Sequence, residues 1–224
     1  DSFSIEGKVF LVTGAASGMG KATALTCAKM GATVIVADNN EVGLQKTLDE
    51  MEGSKHCAFR IDLSDNSSWQ TLLDNMPPID GIASCAGIAN MNPFTFISRE
   101  ECDKVLSVNF LGPVLLVNSI LKAKKLNKGA SVVFVSSVDG PKVVHAGNSV
   151  YSASKNALVG MARNMAIDLA GKKIRVNCVL PGTTDTPLIR KSNVTEEQLA
   201  KTAKQFPLKR FGSPQAMANA IIFL

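Results

Sequence analysis

Histidine is nearly absent from this chain, with 2 among 224 residues, His56 and His145, far apart in sequence. A structural or catalytic zinc site draws several His or Cys ligands at set spacings, so no metal site is expected. The five cysteines (Cys27, Cys57, Cys85, Cys102, Cys178) are odd in number and contain no C-x-x-C pair. They read as reduced, mostly buried thiols of a cytoplasmic protein rather than as a disulfide framework. No uninterrupted apolar run reaches the roughly 18 residues of a membrane helix, and no basic segment followed by an apolar core marks a secretory signal. The net charge is +5, yet the basic residues are scattered, apart from Lys122, Lys124, Lys125 and Lys128. That cluster reads as a solvated helix end rather than a nucleic-acid patch. Neither nucleic acid nor membrane is expected as a partner.

What is present supports a packed core. Apolar residues make up 46% and charged residues 19%, which argues against disorder. No linker, repeat or low-complexity tract interrupts the chain, so residues 1–224 are expected to form a single domain. Short β-branched runs at 8–12, 33–38, 57–62, 81–84, 131–136 and 175–180 read as strands. They are almost continuously apolar, as strands buried on both faces are. Helical patterns lie between them at 18–30, 41–51, 66–75, 99–121 and 152–170. Ser98 before Arg99-Glu100-Glu101 looks like a helix cap with a box glutamate. Strand and helix in alternation imply an α/β fold, a doubly wound, Rossmann-type parallel sheet with helices on both faces. Ligands of such sheets bind at the carboxyl ends of the strands.

The segment TGAASGMGKAT follows the first strand, at such an end. It is not a nucleoside triphosphate loop, because Ala15 and Ala22 stand where that motif needs Gly and Ser or Thr. It fits T-G-x-x-x-G-x-G through Thr13, Gly14, Gly18 and Gly20, with Ser17 and Met19 between them. Glycines let backbone approach an anion closely, and the following helix points free N–H groups at it. Alone, the pattern also suits a glycine-rich turn without a ligand. Asp38 strengthens the dinucleotide reading: it lies 20 residues after Gly18 and ends the second strand. A carboxylate there accepts the adenosine ribose hydroxyls and repels a 2′-phosphate. Asn39 and Asn40 follow, with no arginine for that phosphate, so NAD(H) is favoured over NADP(H). Without the glycines, Asp38 reads better as a helix cap or turn residue.

The chain has one tyrosine, Tyr151, and Lys155 follows it at i+4 on an expected helix, so the two side chains share a face. A phenol is a poor base at neutral pH. A nearby ammonium favours the phenolate and lowers the pKa. Tyr151 can then exchange a proton with an alcohol or carbonyl oxygen while hydride moves. An isolated Y-x-x-x-K is commonly only a helix pattern, but here it follows a TGxxxGxG loop.

With both motifs in this order, the chain resembles the short-chain dehydrogenase/reductase family from about residue 7 to residue 224. The resemblance implies a Ser-Tyr-Lys-Asn acid/base system that interconverts a secondary alcohol and a ketone. Its serine lies in VSSVDG, which makes Ser137 the candidate and Ser136 the runner-up. Ser137 precedes Tyr151 by 14 positions, one more than is usual in the family. SVNFLGP matches the segment that carries the relay asparagine, Asn109, and Lys155 is expected to hold the nicotinamide ribose. Asp62 and Leu63 resemble the pair that caps the adenine. Pro181, Gly182, Thr184 and Thr186 of PGTTDTP resemble the segment that grips the carboxamide, and Ala86 and Gly87 contact the cofactor through backbone.

Two departures stand out. Cys85 replaces the family's asparagine before Ala86-Gly87, and the sequence stops at AIIFL, where the family continues into a seventh strand and a C-terminal segment. The expected substrate is a small-molecule alcohol or ketone, lined by residues 88–94, 138–148 and 187–211, with residues 195–207 as an amphipathic lid. His145 reads as an exposed loop residue, with substrate contact as the alternative. The family likeness also implies a homotetramer or homodimer through the helices at 99–121 and 152–170. The alternative function is a non-catalytic dinucleotide-binding sensor or scaffold of the same fold.

Overall fold

The computed structural model describes residues 3–190 and 195–224. Six strands form one sheet: β1 Val9–Thr13, β2 Thr33–Asp38, β3 Cys57–Arg60, β4 Ile79–Ser84, β5 Leu126–Val135 and β6 Arg175–Val179. Their order is β3-β2-β1-β4-β5-β6, and every pairing is parallel. The chain winds outward from β1 through β2 to β3, then returns to place β4 on the other flank of β1. The carboxyl ends of β1 and β4 therefore frame the crevice where the winding reverses.

The strand pattern follows from burial on both faces. Leu11, Ile35, Ile82 and Phe134 point into one core, beneath α3 (Gln70–Asn75), α5 (Gly112–Lys122) and α6 (Ser149–Leu169). Val12, Val34, Val36 and Val133 point into a second core, beneath α1 (Gly18–Lys29), α2 (Glu41–Glu50) and α9 (Pro214–Phe223). Successive side chains of a strand face opposite ways, so each strand has to be apolar at every position.

Most expected elements form, with shifted ends. β5 begins at Leu126 rather than 131, because the polar Asn127-Lys128-Gly129 stretch continues the strand without an apolar signature. The expected helix at 99–121 forms as α4 (Arg99–Leu106), a π turn (Ser107–Leu111) and α5. This run of 24 residues passes a membrane-helix test by length and composition, although no uninterrupted apolar stretch does. Val105, Leu116, Val117 and Ile120 of this run are buried within the protein. Ser98 caps α4 by accepting the Glu101 N–H at 3.1 Å. The Glu101 carboxylate does not close the expected box; it accepts Asn92 Nδ2 at 2.7 Å and tethers the loop after β4. The sequence reading missed α9, although its signal is present: Ser213 accepts the Ala216 N–H, and Pro214 sits at the first helical position.

Candidate active site

The turn after β1 is shaped by what cannot fit there. Gly14 has φ 69°, and a Cβ on it would lie 2.6 Å from the Ala86 nitrogen. A Cβ on Gly20 would overlap the Gly14 carbonyl oxygen. Only glycines let α1 close onto the turn and the turn onto the β4 end. Ser17, the N-cap residue of α1, makes no side-chain cap bond, so the N–H groups of Gly18, Met19 and Gly20 face the crevice uncapped by a side chain. Gly18 packs beside Thr186, whose Cγ2 would be 3.2 Å from an added Cβ.

Asp38 ends β2 next to this turn. Its Oδ2 accepts the Ala16 N–H at 3.1 Å and its Oδ1 the Asn40 N–H at 3.0 Å. The helix-cap role belongs to Asn40, which accepts the Gly43 N–H at 3.0 Å. Each Asp38 oxygen keeps acceptor capacity for a ribose hydroxyl. Just past β3, which ends at Arg60 rather than at the expected residue 62, the Asp62 carboxylate accepts the Ser64 N–H and Oγ at 2.8 and 2.6 Å, and its carbonyl accepts Trp69 Nε1 at 2.8 Å. Leu63 is buried against α5, where a Cβ on Gly112 would overlap the Leu63 carbonyl. The adenine-side residues are thus fixed by local bonds.

Cys85 packs in the core beneath α1 beside the Thr23 hydroxyl, and burial pushes its thiol up to about 12. A thiol in that state is an inert packing group. Nearby, the buried Thr13 Oγ1 has no hydrogen-bond partner.

Residues from four elements meet at Gly87. A Cβ on Gly87 would lie 3.1 Å from Lys155 Nζ and 3.3 Å from Asn109 Oδ1. Asn109 is fully buried in the π turn, a helix irregularity that recurs at functional sites. Its Oδ1 accepts the Ile88 N–H at 2.8 Å, and its Nδ2 donates to Ile88 O at 2.9 Å and to Ser154 Oγ at 3.1 Å. Lys155 is buried and donates to Val135 O at 2.9 Å. Burial lowers its pKa from the ordinary 10.5 to about 8.

The two serines take different directions. Ser136 Oγ donates to Lys155 O at 2.7 Å, anchoring α6 to β5. Ser137 lies beside Tyr151, close enough for its hydroxyl to favour the phenolate. Lys155 Nζ lies 5.9 Å from the Tyr151 ring centroid. The expected lowering of the Tyr151 pKa is not what this geometry gives. Burial raises it, the Ser137 hydroxyl opposes that rise, and the Asp139 charge adds to it. The physical reason is that the phenol is desolvated, with a carboxylate rather than the ammonium adding the next electrostatic effect.

Asp139 escaped the sequence reading. It is buried, two residues past Ser137, and accepts bonds from Ser152 Oγ, Asn148 Nδ2 and His145 Nδ1 at 2.6, 2.7 and 3.0 Å. Burial raises its pKa, and these three bonds outweigh that, leaving it below the ordinary carboxylate value. The only sequence signal was an acidic residue inside VSSVDG. His145 is largely exposed and turned onto Asp139, in line with its reading as a loop residue.

The segment after β6 closes the other side. Pro181 O accepts the Val138 N–H at 3.0 Å, and Thr184 Oγ1 donates to Gly182 O at 3.0 Å. Thr184 and Thr186 are buried. Arg190, expected to line the pocket, is instead paired with Asp185 at 2.8 Å and with Glu196, which joins α7 (Pro187–Arg190) to α8 (Glu196–Ala203). Residues 191–194, part of the expected pocket segment 187–211, lie outside the described residues. Exposed Met91, Phe94, Val143, Val144 and Leu208 come from the loops after β4 and β5 and from the chain past α8. A partly open cavity of about 330 Å³ lies at the opposite end of the sheet, among Phe10, Ile82, Asp80 and Ile221. Asp80 there is engaged by the Val9 N–H and by Asn127, and none of the expected site residues reaches it.

Comparisons with known proteins bear on the family and the fold. A family model described as enoyl-(acyl carrier protein) reductase matches residues 14–224. The chain is 35% identical to the 3-oxoacyl-acyl-carrier-protein reductase FabG of Thermotoga maritima, over 98% of this chain and 91% of that protein. It is 32% identical to the human (3R)-3-hydroxyacyl-CoA dehydrogenase, over 96% of this chain and 87% of that one. Among solved structures, a dehydrogenase/reductase from Sinorhizobium meliloti 1021 superposes with a TM-score of 0.89 at 29% identity, covering 100% of this chain and 89% of that chain. A variant of the actinorhodin polyketide ketoreductase with NADPH superposes with a TM-score of 0.89 at 27% identity, covering 97% and 90%.

Proposed function

The chain belongs to the short-chain dehydrogenase/reductase family and is an NAD(P)-dependent oxidoreductase acting on CH–OH groups, and we propose how its residues divide the work. The observation that carries the reading is the grouping of Ser137, Tyr151 and Lys155, with Lys155 Nζ 5.9 Å from the phenol ring, at the strand ends beside the glycine turn. Tyr151 gives a proton to the carbonyl oxygen in reduction and takes it back in oxidation. Ser137 donates to the same oxygen and stabilises charge developing on it. Lys155 holds a ribose hydroxyl and supplies positive charge beside the phenol. Asn109 fixes the Gly87–Ile88 backbone against α6 and so positions Lys155.

The glycine turn fits a dinucleotide, because any side chain at Gly14 or Gly20 would fill the space between β1, α1 and Ala86. A bound nicotinamide supplies or accepts the hydride. Pyrophosphate would rest on the N–H groups of Gly18, Met19 and Gly20, and Asp62, Leu63, Ala86, Gly87, Pro181, Gly182, Thr184 and Thr186 would complete the wall. The Asp38 carboxylate favours NAD(H) over NADP(H), since a 2′-phosphate would meet its charge. The relatives act on 3-oxoacyl and 3-hydroxyacyl thioesters, and we take that class as the first substrates to test. Exposed Leu111, Leu115 and Ile167 on the helices α4–α5 and α6 support a homotetramer or homodimer through these helices. The five unpaired thiols support a reducing compartment, the cytoplasm.

The test is a fluorescence titration with NADH and NADPH of the parent protein and of Asp38→Ala, followed by a substrate screen with Tyr151→Phe as control. Tighter NADH binding that is lost in Asp38→Ala is expected. Equal or tighter NADPH binding in the parent would sink the cofactor assignment. Full turnover by Tyr151→Phe would sink the acid/base assignment.

A further inference from the structure

Asp139 is the only buried carboxylate among the described residues, and the proton and hydride steps above do not use it. Its four bonds all bear on the stretch of chain between Ser137 and Tyr151. Its own N–H donates to Ser137 Oγ at 3.0 Å. Its Oδ1 accepts Ser152 Oγ at 2.6 Å, one residue past Tyr151. Its Oδ2 accepts Asn148 Nδ2 at 2.7 Å, from the N-cap residue of α6, and His145 Nδ1 at 3.0 Å. The next residue, Gly140, has φ 103°, and a Cβ there would lie 2.7 Å from Ser152 O. The turn after Asp139 is therefore pressed onto the first turn of α6, where Tyr151 sits.

We propose that Asp139 is a positioning residue for the reaction: its N–H on Ser137 and its carboxylate on Ser152 and Asn148 fix Ser137 and Tyr151 relative to one another. The proposal rests on the reading of Tyr151 as the acid/base group. Without this tie, the segment from Gly140 to Asn148 is held to α6 by much less. The resemblance makes this stretch one residue longer than usual, so a dedicated internal fastening has a clear purpose. By engaging the Ser137 oxygen as an acceptor, the Asp139 N–H also leaves that hydroxyl's proton free to point at Tyr151 or substrate.

Two charged groups face the phenol among the described residues. Asp139 does so from the β5–α6 loop, and Lys155 from the next turn of α6. His145 reaches it only through Asp139, and Cys85 and Cys178 act on Lys155 rather than on Tyr151. Asp139 opposes ionisation of the phenol, whereas Lys155, with its pKa lowered to about 8, has lost its charge by the pH at which the phenol ionises. A protonated phenol is the form that reduction consumes. Alcohol oxidation needs the phenolate, so Asp139 makes that direction demand a more alkaline medium.

Tyr151 is the single tyrosine of the chain, so the near-ultraviolet absorbance of phenolate reads this one group, without any substrate. The experiment compares the parent protein with Asp139→Asn, which removes the charge, and Ser152→Ala, which keeps the charge and removes one bond. In Asp139→Asn, phenolate is expected at a pH lower by about half a unit to one unit; in Ser152→Ala, no downward shift is expected. Both variants should lose turnover severalfold while NADH binding stays within about twofold of the parent. A purely structural role would move the two titrations alike.

An unshifted phenol with parental turnover in Asp139→Asn overturns the proposal. If the parent phenol ionises only as the chain unfolds, Asp139→Asn should ionise while circular dichroism still reports the fold; ionisation only on unfolding in both overturns it. If Asp139→Asn does not fold, Ser152→Ala decides: reduced turnover with intact NADH binding supports the role, and parental turnover overturns it. Tyr151→Phe is assayed in parallel. Turnover retained there defeats the acid/base reading, whereas the phenolate titration of Asp139→Asn speaks to the Asp139 charge alone.

Discussion

Thr13 and Cys85 meet at the ends of two neighbouring strands with one polar group left over. The Cys85 N–H donates to Thr13 O at 3.3 Å, yet the buried Thr13 Oγ1 has no partner. In the family this chain resembles, residue 85 is an asparagine, whose amide could serve such a hydroxyl. Here the thiol sits in the core under α1 instead. Thr13→Val, nearly isosteric, removes an unsatisfied buried hydroxyl. It is expected to leave stability unchanged or raise it by about 1 kcal/mol. Chemical denaturation of the two proteins checks this; a loss above about 1 kcal/mol would show that the hydroxyl is bonded in solution.

Lys155 should give the protein a measurable pH dependence. Its folded pKa is depressed, to about 8 from an ordinary 10.5. Below pH 8 the ammonium is present in both states and the fold bears its full desolvation cost. Between pH 8 and 10.5 the unfolded chain binds more protons, so stability rises with pH. The gain attributable to this group is at most about 3 kcal/mol. Because Cys27 and Cys85 are pushed up to about 12 by burial and act in the opposite sense above pH 9, the comparison is with Lys155→Met. The parent should gain on Lys155→Met across that window, read from denaturation at pH 7 and pH 10. A difference independent of pH would contradict the buried ammonium.

Gly14→Ala places a Cβ 2.6 Å from the Ala86 nitrogen, at φ 69°. Strain and backbone displacement should cost about 2–4 kcal/mol. NADH affinity is expected to fall at least about tenfold, because the turn and the β4 end move together. Calorimetric NADH titration on the folded fraction tests this, and parental affinity would argue against a cradle at this turn.

Asn109→Ala removes three hydrogen bonds at once, two to Ile88 and one to Ser154. The stranded Ile88 groups should cost about 2–4 kcal/mol of stability. Asn109→Asp keeps an acceptor for the Ile88 N–H and loses both donated bonds, so its loss should be comparable or larger once its buried charge is counted. Thermal melting ranks the three proteins; a melting point unchanged in Asn109→Ala would refute the pinning role.

Much of the frame was legible because the physics was local. Strands buried on both faces announce themselves as unbroken apolar runs, and Val12, Ile35 and Val133 behave as that pattern requires. Gly14 and Gly20 were readable because only glycine tolerates those contacts. β5 was cut short because Asn127 and Lys128 are polar and fall at an irregular step in its pairing with β4. Asp139 and Ser152 were not readable, since their bond is 2.6 Å long across 13 positions and neither residue type advertises it. The Tyr151 pKa was misjudged for a related reason. Spacing placed Lys155 on the same helix face, but it could not show the burial and the Asp139 carboxylate that act on the phenol.

The Asn92 N–H donates to Gly147 O at 3.0 Å and thereby sews the loop after β4 to the loop after β5. Two walls of the cleft become one rigid jaw, with Met91, Val143 and Val144 along its lip. The opposing jaw is α7 and α8, held to each other by Arg190 between Asp185 and Glu196. The wall stitched by backbone is the stiffer of the two, so room for a guest molecule is more easily made on the other, as with a door hung on one post. Since the brace across that side is a pair of exposed ionic contacts, it should loosen as ionic strength rises.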